Sequence, residues 1–196
     1  MQTPVTIAME HFYQKIHGWF DFQAVYLLMI QRAGERAHFV EVGAFEGKST
    51  SFMAVEIANC DKEIRFDVID TWEGSEEHQP GGAHASPIIA SNELYDAFIR
   101  NMRPVEHIIN PIRLPSLQAA ASYPDRSLDF VFIDASHDYE NVKADILAWR
   151  PKVKLNGYLG GHDYQELFPG VMQAVAEVVP TFDVLEFSWL TQITEP

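Results

Sequence analysis

The chain has 196 residues, of which 47% are hydrophobic and 21% are charged, a composition that is ordinary for a soluble globular protein. Its length suits one domain with a complete hydrophobic core. The formal net charge of −14 argues against a nucleic-acid partner or an anionic membrane surface, because phosphate groups are bound by clustered Lys and Arg. This charge does not exclude a small anionic ligand held by backbone amides.

No apolar run approaches the ~20 residues that a membrane-spanning helix needs. The first residues, Met1 to Val5, lack the basic segment with which a signal peptide begins. Cys60 is the only cysteine, so an internal disulfide is impossible and a reducing compartment is the default. We therefore expect a single domain over residues 1–196 in the cytoplasm.

Apolar segments that end at turn-forming residues alternate with segments of helical periodicity along the whole chain. This alternation predicts an α/β fold, a doubly wound sheet of about seven strands that is mostly parallel and carries helices on both faces. In chain order, we predict helices over 5–18 and 22–33, a strand over 38–42, a helix over 48–59, a strand over 64–69, a helix over 92–102, a strand over 108–114, a helix over 116–123, a strand over 128–133, a helix over 139–149, a strand over 158–161, a helix over 170–179 and terminal strands over 182–187 and 189–193.

Three boundary residues are specific enough to test. Asp21 is predicted to cap the second of the two helices within residues 1–34, and Gly34 is predicted to end it. Asn156 and the glycine after it are predicted to form a turn before the fifth strand.

A glycine-rich loop follows the first predicted strand, with Gly43 and Gly47 separated by three residues and followed by Lys48 and Ser49. It resembles a phosphate-binding P-loop but is one residue too short, which disfavours a nucleotide hydrolase. A glycine pair between a strand and a helix still indicates close approach of the backbone to a ligand. A tight strand-to-helix turn without a ligand is the alternative.

Asp70 ends the second predicted strand, where doubly wound folds bind the hydroxyl groups of a ribose. A nicotinamide cofactor and S-adenosylmethionine both present such a ribose, although the loop lacks the G-x-G-x-x-G pattern of the dehydrogenases. The following segment, 71–91, is long, polar and rich in Gly, Pro and His, and we expect it to be a lid or an acceptor-binding loop. Trp19 and Trp72 could line the acceptor pocket, with core packing as the alternative for each.

Acidic and histidine side chains follow the fourth and fifth predicted strands. Asp134 and His137 come after the fourth strand, and His162 and Asp163 come after the fifth. Ligands bind beyond the carboxyl ends of neighbouring strands in open α/β sheets, so this pattern predicts a divalent-metal site. Turn-capping carboxylates and buried structural histidines are the alternatives.

Four segments together resemble the class I S-adenosylmethionine-dependent methyltransferases. The sequence FVEVGAFEGKST at 39–50 looks like motif I of the catechol O-methyltransferase-like enzymes. The segments VIDTWEG at 68–74, DFVFIDASHDYENVKAD at 129–145, and NG at 156–157 with GHD at 161–163 look like a bacterial subgroup that modifies sugars and small molecules. The resemblance covers roughly residues 18–178.

This resemblance implies a set of site residues. It implies that the methionine end of the cofactor lies at the glycine loop with its carboxylate near Ser49, the ribose at Asp70 and the adenine at Ser116. The implied cofactor-binding residues are Glu41, Gly43, Phe45, Gly47, Ser49, Asp70, Ser116 and Asp134. The implied ligands of Mg²⁺ or Mn²⁺ are Asp134, His162 and Asp163, and the implied catalytic residues are Asp134 and the base His137.

Two positions depart from the family pattern. His137 stands where the catechol enzymes carry a catalytic Lys, and His162 stands where an acidic residue is usual. The implied function is metal-assisted O-methylation of a small hydroxylated acceptor of sugar or diol type, and a homo-oligomer is left open. A metal-independent methyltransferase and a non-catalytic S-adenosylmethionine-binding module are the alternatives.

Overall fold

The computed structural model describes residues 8–75, 79, 81–82 and 86–195. Part of the predicted helix over 5–18 and part of the predicted lid over 71–91 lie outside these residues. The helices are α1 Gln23–Arg32, α2 Lys48–Asn59, α3 Pro87–Ala90, α4 Leu94–Met102, α5 Ser116–Ala121, α6 Tyr139–Trp149 and α7 Pro169–Val178. The strands are β1 Arg36–Val42, β2 Glu63–Asp70, β3 Ile109–Arg113, β4 Leu128–Ile133, β5 Val153–Gly161, β6 Asp183–Leu185 and β7 Ser188–Gln192.

The strands form one seven-stranded sheet in the order β3-β2-β1-β4-β5-β7-β6. The pairs among β3, β2, β1, β4 and β5 are parallel, whereas β7 is antiparallel to both β5 and β6. The predicted doubly wound sheet is therefore confirmed. Chain order reverses between β1 and β4, and such a switch point opens a crevice at the carboxyl ends of the strands.

Two hydrophobic clusters cover the two faces of this sheet. Alternating residues of β1 divide between them, with Phe39 on one side and Val40 and Val42 on the other. One cluster is rich in aromatic rings and joins α1, α2 and α4 to the sheet, with Phe22, Tyr26, Phe66, Phe98, Phe130 and Phe132 among its members. The other joins α5, α6 and α7 to the sheet.

The predicted helix over 5–18 is wrong across its described part. Residues 8–18 contain only the short 3₁₀ turn Tyr13–Lys15. The segment is held by contacts with α2 instead: the amide of Met9 donates to Asn59 Oδ1 at 2.7 Å, and the ring of His11 stacks on Phe52 at 4.6 Å. These contacts with α2 hold the segment in a non-helical path despite its helical periodicity.

The predicted cap of α1 is also wrong, whereas its predicted end is correct. The helix begins after Phe22 without a side-chain cap. Its C-cap is Ala33, so Gly34 stands directly beyond the helix as predicted, although not in a left-handed conformation. Asp21 instead contacts His162, directly after β5. None of the described helices is long and apolar enough to cross a membrane.

Two other boundaries differ from the prediction. The predicted turn at Asn156 lies inside β5, where the register with β4 shifts and Asn156 takes a positive φ of 65°. This bulge lets β5 begin earlier than its apolar run. Helix α4 begins at Leu94 rather than at residue 92. Pro111 is tolerated because β3 is an edge strand.

A fully buried carboxylate, Asp67, ties together the first three strands. Its oxygens accept hydrogen bonds at 2.7–3.0 Å from His38, Arg65, Asn110 and Tyr123. Burial alone would raise the pKa of Asp67, but these donors stabilise the carboxylate and hold its pKa well below the usual range. The network lets a charged group stand inside the sheet.

Replacing Asp67 should therefore lower the free energy of unfolding more than replacing an exposed aspartate does. We expect Asp67→Asn to lower the free energy of unfolding at pH 7 by about 3–5 kcal/mol, because buried donors lose their charged acceptor. Asp125→Asn, which removes an exposed partner of Lys152, should cost less than about 1 kcal/mol. Urea unfolding measures both.

The contribution of Asp67 to the free energy of unfolding should decrease as the pH falls. Folding lowers the pKa of Asp67, so the ionised carboxylate stabilises the folded protein at pH values above the pKa of Asp67 in the unfolded chain. This stabilisation is lost as the pH falls. The difference in free energy of unfolding between wild type and Asp67→Asn should become smaller below about pH 4. A difference under about 1 kcal/mol at pH 7 would contradict the structural role of the network.

Gly43 joins the carboxyl ends of three strands. Its amide donates to the Ile69 carbonyl at 2.8 Å, while the Asp134 amide donates to the Val42 carbonyl at 2.7 Å. Gly43 has a positive φ of 89°, and a Cβ there would lie 1.8 Å from the carbonyl oxygen of Asp134. Only glycine permits this approach.

Gly43→Ala and Gly81→Ala form a matched pair that separates backbone strain from steric contact. Both positions have a positive φ, but a Cβ at Gly81 would meet no atom of the described residues within 4 Å. We expect Gly81→Ala to cost about 1–2 kcal/mol of stability through strain alone, and Gly43→Ala to cost at least about 1–3 kcal/mol more. Equal losses in thermal or urea unfolding would contradict the close approach.

Candidate active site

The carboxyl ends of β4 and β5 bring three of the predicted metal-ligating residues together. Asp134 follows β4, and His162 and Asp163 follow β5. His162 Nδ1 lies 3.3 Å from Asp163 Oδ1 and 3.8 Å from Asp134 Oδ1. One ligand atom from each of the three residues lies within 4.8 Å of the others.

The predicted base, His137, lies beside this cluster. Its Nε2 is 2.9 Å from Asp163 Oδ2, and its ring stacks on Phe168 with the centroids 4.2 Å apart. Asp163, which takes a positive φ of 60°, has one carboxylate oxygen near each histidine. One carboxylate therefore orients two imidazole rings.

Burial and mutual contact shift the pKa values in this cluster. Burial raises the pKa of Asp134 to about 6, against the attraction of His162. Burial would raise the pKa of Asp163 too, but hydrogen bonds from His137 and His162 hold it well below its usual range. Burial alone would lower the pKa of His162, yet the surrounding carboxylates raise it to about 9. His162 thus supplies positive charge that these carboxylates face.

The donor set fits a divalent cation. Carboxylate oxygens suit Mg²⁺ and Mn²⁺, and one imidazole shifts the preference toward Mn²⁺. Two ligands on adjacent positions around an ion bound at about 2.1 Å lie roughly 3 Å apart, close to the 3.3 Å and 3.8 Å separations here. An ion could be held by Asp134, His162 and Asp163 after small side-chain adjustments.

Glu41 lies under the glycine loop and is fully buried. It accepts hydrogen bonds from Tyr26 at 2.7 Å and, at very short range, from Thr50. Burial raises the pKa of Glu41 to about 7. A positively charged group near this carboxylate would favour its ionised form.

Asp70 holds the glycine loop against the end of β2. Its Oδ2 accepts from the amides of Ala44 and Phe45 at 2.8 and 3.0 Å, and its Oδ1 accepts from the amide of Trp72 at 2.7 Å. A carboxylate has about four acceptor positions, so capacity for one further donor, such as a ribose hydroxyl, is left.

Helix α2 begins directly after this loop, at Gly47 with a positive φ of 90°. Its N-cap residue, Gly47, has no side chain to cap the first turn, in which Ser49 is buried. The first amides of a helix lack partners within the helix and attract anions. An uncapped helix start beside a carboxylate that can take a ribose hydroxyl fits S-adenosylmethionine, which carries both a carboxylate and a ribose.

Two other predicted cofactor-binding residues have partners in the structure. Ser116 accepts from Trp149 Nε1 at 2.9 Å, and it also bonds to Asp145, whose pKa burial raises to about 6. Its hydroxyl is thus directed toward α6. Phe45 has a positive φ of 50°, and its ring lies 5.9 Å from that of Trp19.

The two tryptophans considered for the acceptor pocket differ. Trp72 is 1% exposed and packs on Phe98 in the core, with its Nε1 donating to the Phe45 carbonyl at 3.1 Å. Trp19 is 67% exposed and lies beside the glycine loop. Of these two tryptophans, Trp19 is the one whose side chain lies mostly at the surface.

The sequence did not predict that residues 16–22, here called the strap, would reach the strand ends. Lys48 Nζ donates to the Gly18 carbonyl at 2.9 Å, and His17 contacts Glu46 at 3.0 Å. Asp21 Oδ1 lies 2.7 Å from His162 Nε2, although the ring N–H is not aligned for a hydrogen bond. No local pattern signals this contact, because Asp21 before a helical segment is typical of a cap.

Residues 40–164 match the methyltransferase domain family, a range that runs from β1 to just beyond β5 and includes most of the candidate site. Among curated proteins, the uncharacterized protein y4gI of Sinorhizobium fredii is 26% identical over 188 residues, which is 94% of this chain and 20% of that protein. The chain thus spans about a fifth of the length of this relative.

Solved structures of methyltransferases share the fold. The O-methyltransferase NovP superposes with a TM-score of 0.68 at 16% identity, over 89% of this chain and 80% of its own. The calicheamicin methyltransferase CalS11 superposes with a TM-score of 0.64 at 14% identity, over 89% of this chain and 78% of its own. The chain belongs to the methyltransferase domain family, with the fold of the class I S-adenosylmethionine-dependent methyltransferases.

Proposed function

We propose that this methyltransferase transfers its methyl group to a hydroxyl oxygen of a small molecule of sugar or diol type, assisted by a divalent cation. One observation carries the proposal: the uncapped start of α2 and Asp70 lie at the same sheet edge as Asp134, His162 and Asp163. A cofactor pocket and a cluster of cation ligands would therefore face one crevice.

The cofactor side would use the residues around the glycine loop. S-adenosylmethionine, when bound, supplies a methyl group activated by its sulfonium charge. Asp70 would accept a ribose hydroxyl, the first turn of α2 with Ser49 would hold the carboxylate, and buried Glu41 would face the cationic end. Gly43, Phe45, Gly47 and Asp134 would shape the pocket wall, with Ser116 beside the adenine.

The acceptor side would use the cluster at β4 and β5. A divalent cation, when bound, would orient two neighbouring oxygens and lower the pKa of a hydroxyl group. Asp134, His162 and Asp163 would be its ligands. His137 would take the hydroxyl proton, and Asp163 would keep its ring in position. An aligned, deprotonated oxygen is what in-line methyl transfer requires.

Two proteins of similar structure support an oxygen acceptor on a sugar. NovP is an O-methyltransferase, and CalS11 is a TDP-rhamnose 3′-O-methyltransferase. Segment 71–91 leaves the sheet directly after Asp70, and we propose that it contributes to acceptor binding. We further propose that the chain is one methyltransferase domain.

A metal-independent methyltransferase is the second candidate, and one observation favours it. Asp163 already binds two histidines, with His137 at its Oδ2 and His162 near its Oδ1. Charges within the cluster are partly offset by these contacts, so the carboxylates do not depend on an ion to be neutralised. His137 would be the base in this case too.

Replacing the proposed base should reduce turnover without affecting the cofactor. We expect His137→Gln to lower kcat by about 10²–10⁴-fold on a panel of vicinal diols and nucleotide sugars. Binding of S-adenosylhomocysteine, measured by calorimetry, should stay within about twofold, because His137 acts on the acceptor. The exposed His107 gives a matched control, and His107→Gln should keep full activity. Unchanged kcat in His137→Gln would exclude it as the base.

Removing the cation should separate the two candidates. We expect EDTA to abolish most methyl transfer and added Mn²⁺ or Mg²⁺ to restore it, because the ion activates the hydroxyl. Asp163→Asn should remain inactive after Mn²⁺ is added, while still binding S-adenosylhomocysteine. Methyl transfer that EDTA does not change would support the metal-independent enzyme instead.

A further inference from the structure

The structure assigns a role to Asp21 of the strap: its carboxylate positions the ring of His162 so that the other ring nitrogen faces the cation site. This inference rests on the proposed cation. Asp21 would be a positioning residue rather than a ligand, since it lies 2.7 Å from His162 Nε2, whereas Nδ1 faces Asp134 and Asp163.

The two nitrogens of an imidazole point in different directions, so a partner at one nitrogen fixes where the other points. Metal-binding histidines commonly donate the second ring N–H to a carboxylate, which sets both the tautomer and the ring orientation. His162 Nε2 is buried and has no hydrogen-bond partner among the described residues, although Asp21 Oδ1 is within 2.7 Å. A small rotation of either side chain would complete that bond.

Packing limits the ring to small adjustments of this kind. The side chain of His162 is only 9% exposed, and the ring of Phe22 lies 4.8 Å from it at an interplanar angle of 47°. Phe22 is itself buried at the end of the strap. The ring cannot swing away from the cluster, so Asp21 and Phe22 together set its direction.

Unlike the buried side chains of Phe22 and His162, the side chain of Asp21 is half exposed, with 55% of it accessible to solvent. The strap is also held independently by the contact of Lys48 with Gly18 and that of His17 with Glu46. Replacing Asp21 should therefore leave the fold and the path of the strap intact. Asparagine has nearly the same shape as aspartate, so Asp21→Asn tests the role of the carboxylate with little change in packing.

The test measures Mn²⁺ binding to the full chain by the electron paramagnetic resonance signal of the free ion. We expect wild type to bind Mn²⁺ and Asp21→Asn to bind it about 10–100-fold more weakly, the usual effect of losing a partner of a metal-binding histidine. Glu46→Gln removes the other carboxylate that contacts the strap and should bind Mn²⁺ within about twofold of wild type. Thermal unfolding should be the same for all three proteins.

Salt separates positioning from simple attraction between charges. Repeating the titration at high salt screens the long-range field of the exposed Asp21 carboxylate, since the Debye length falls to about 3 Å at 1 M. The weakening should persist if Asp21 orients His162. A difference that disappears at high salt, or Asp21→Asn binding within twofold of wild type, would overturn the role of Asp21 and leave the proposed function standing. Wild type that binds no Mn²⁺ would overturn both this role and the metal-assisted reaction.

Discussion

The close approach of Gly43 to Asp134 is the constraint on which the site depends. Because Gly43 has no side chain, the end of β1 lies against the backbone of Asp134, and the amides on each side bond across β1, β2 and β4. This contact fixes the glycine loop and the Asp134 turn relative to each other. A cofactor pocket and a cluster of acceptor-side residues then share one edge without a hinge between them.

Several polar residues at this edge make contacts within the protein that stabilise the fold without any ligand. Asp70 holds the glycine loop by accepting two of its amides, and Asp163 orients His137 and lies against His162. Gly47 has a positive φ and is packed against the side chain of Met102. Packing alone therefore explains glycine in this loop. The features that fit a cofactor are instead the first amides of α2 and the remaining acceptor capacity of Asp70.

The sequence predicted the sheet and the meeting of Asp134 with His162 and Asp163, because both follow from local signals. Apolar runs separated by helices imply parallel strands, and parallel strands end at a common edge. The predicted helix was wrong over its described residues, 8–18, and so was the capping role of Asp21. Contacts with residues distant in the chain decide both. His11 stacks on Phe52 and Asp21 contacts His162, and no spacing within residues 8–22 encodes such partners.

The exposed Trp19 makes the strap accessible to study by tryptophan fluorescence. Trp72, Trp149 and Trp189 are at most 1% exposed, whereas Trp19 is 67% exposed and sits between His17 and Phe45. A soluble quencher such as acrylamide would therefore reach mainly this one indole. Fluorescence of the unmodified protein can follow the strap as ligands enter the crevice, with no label added near the site.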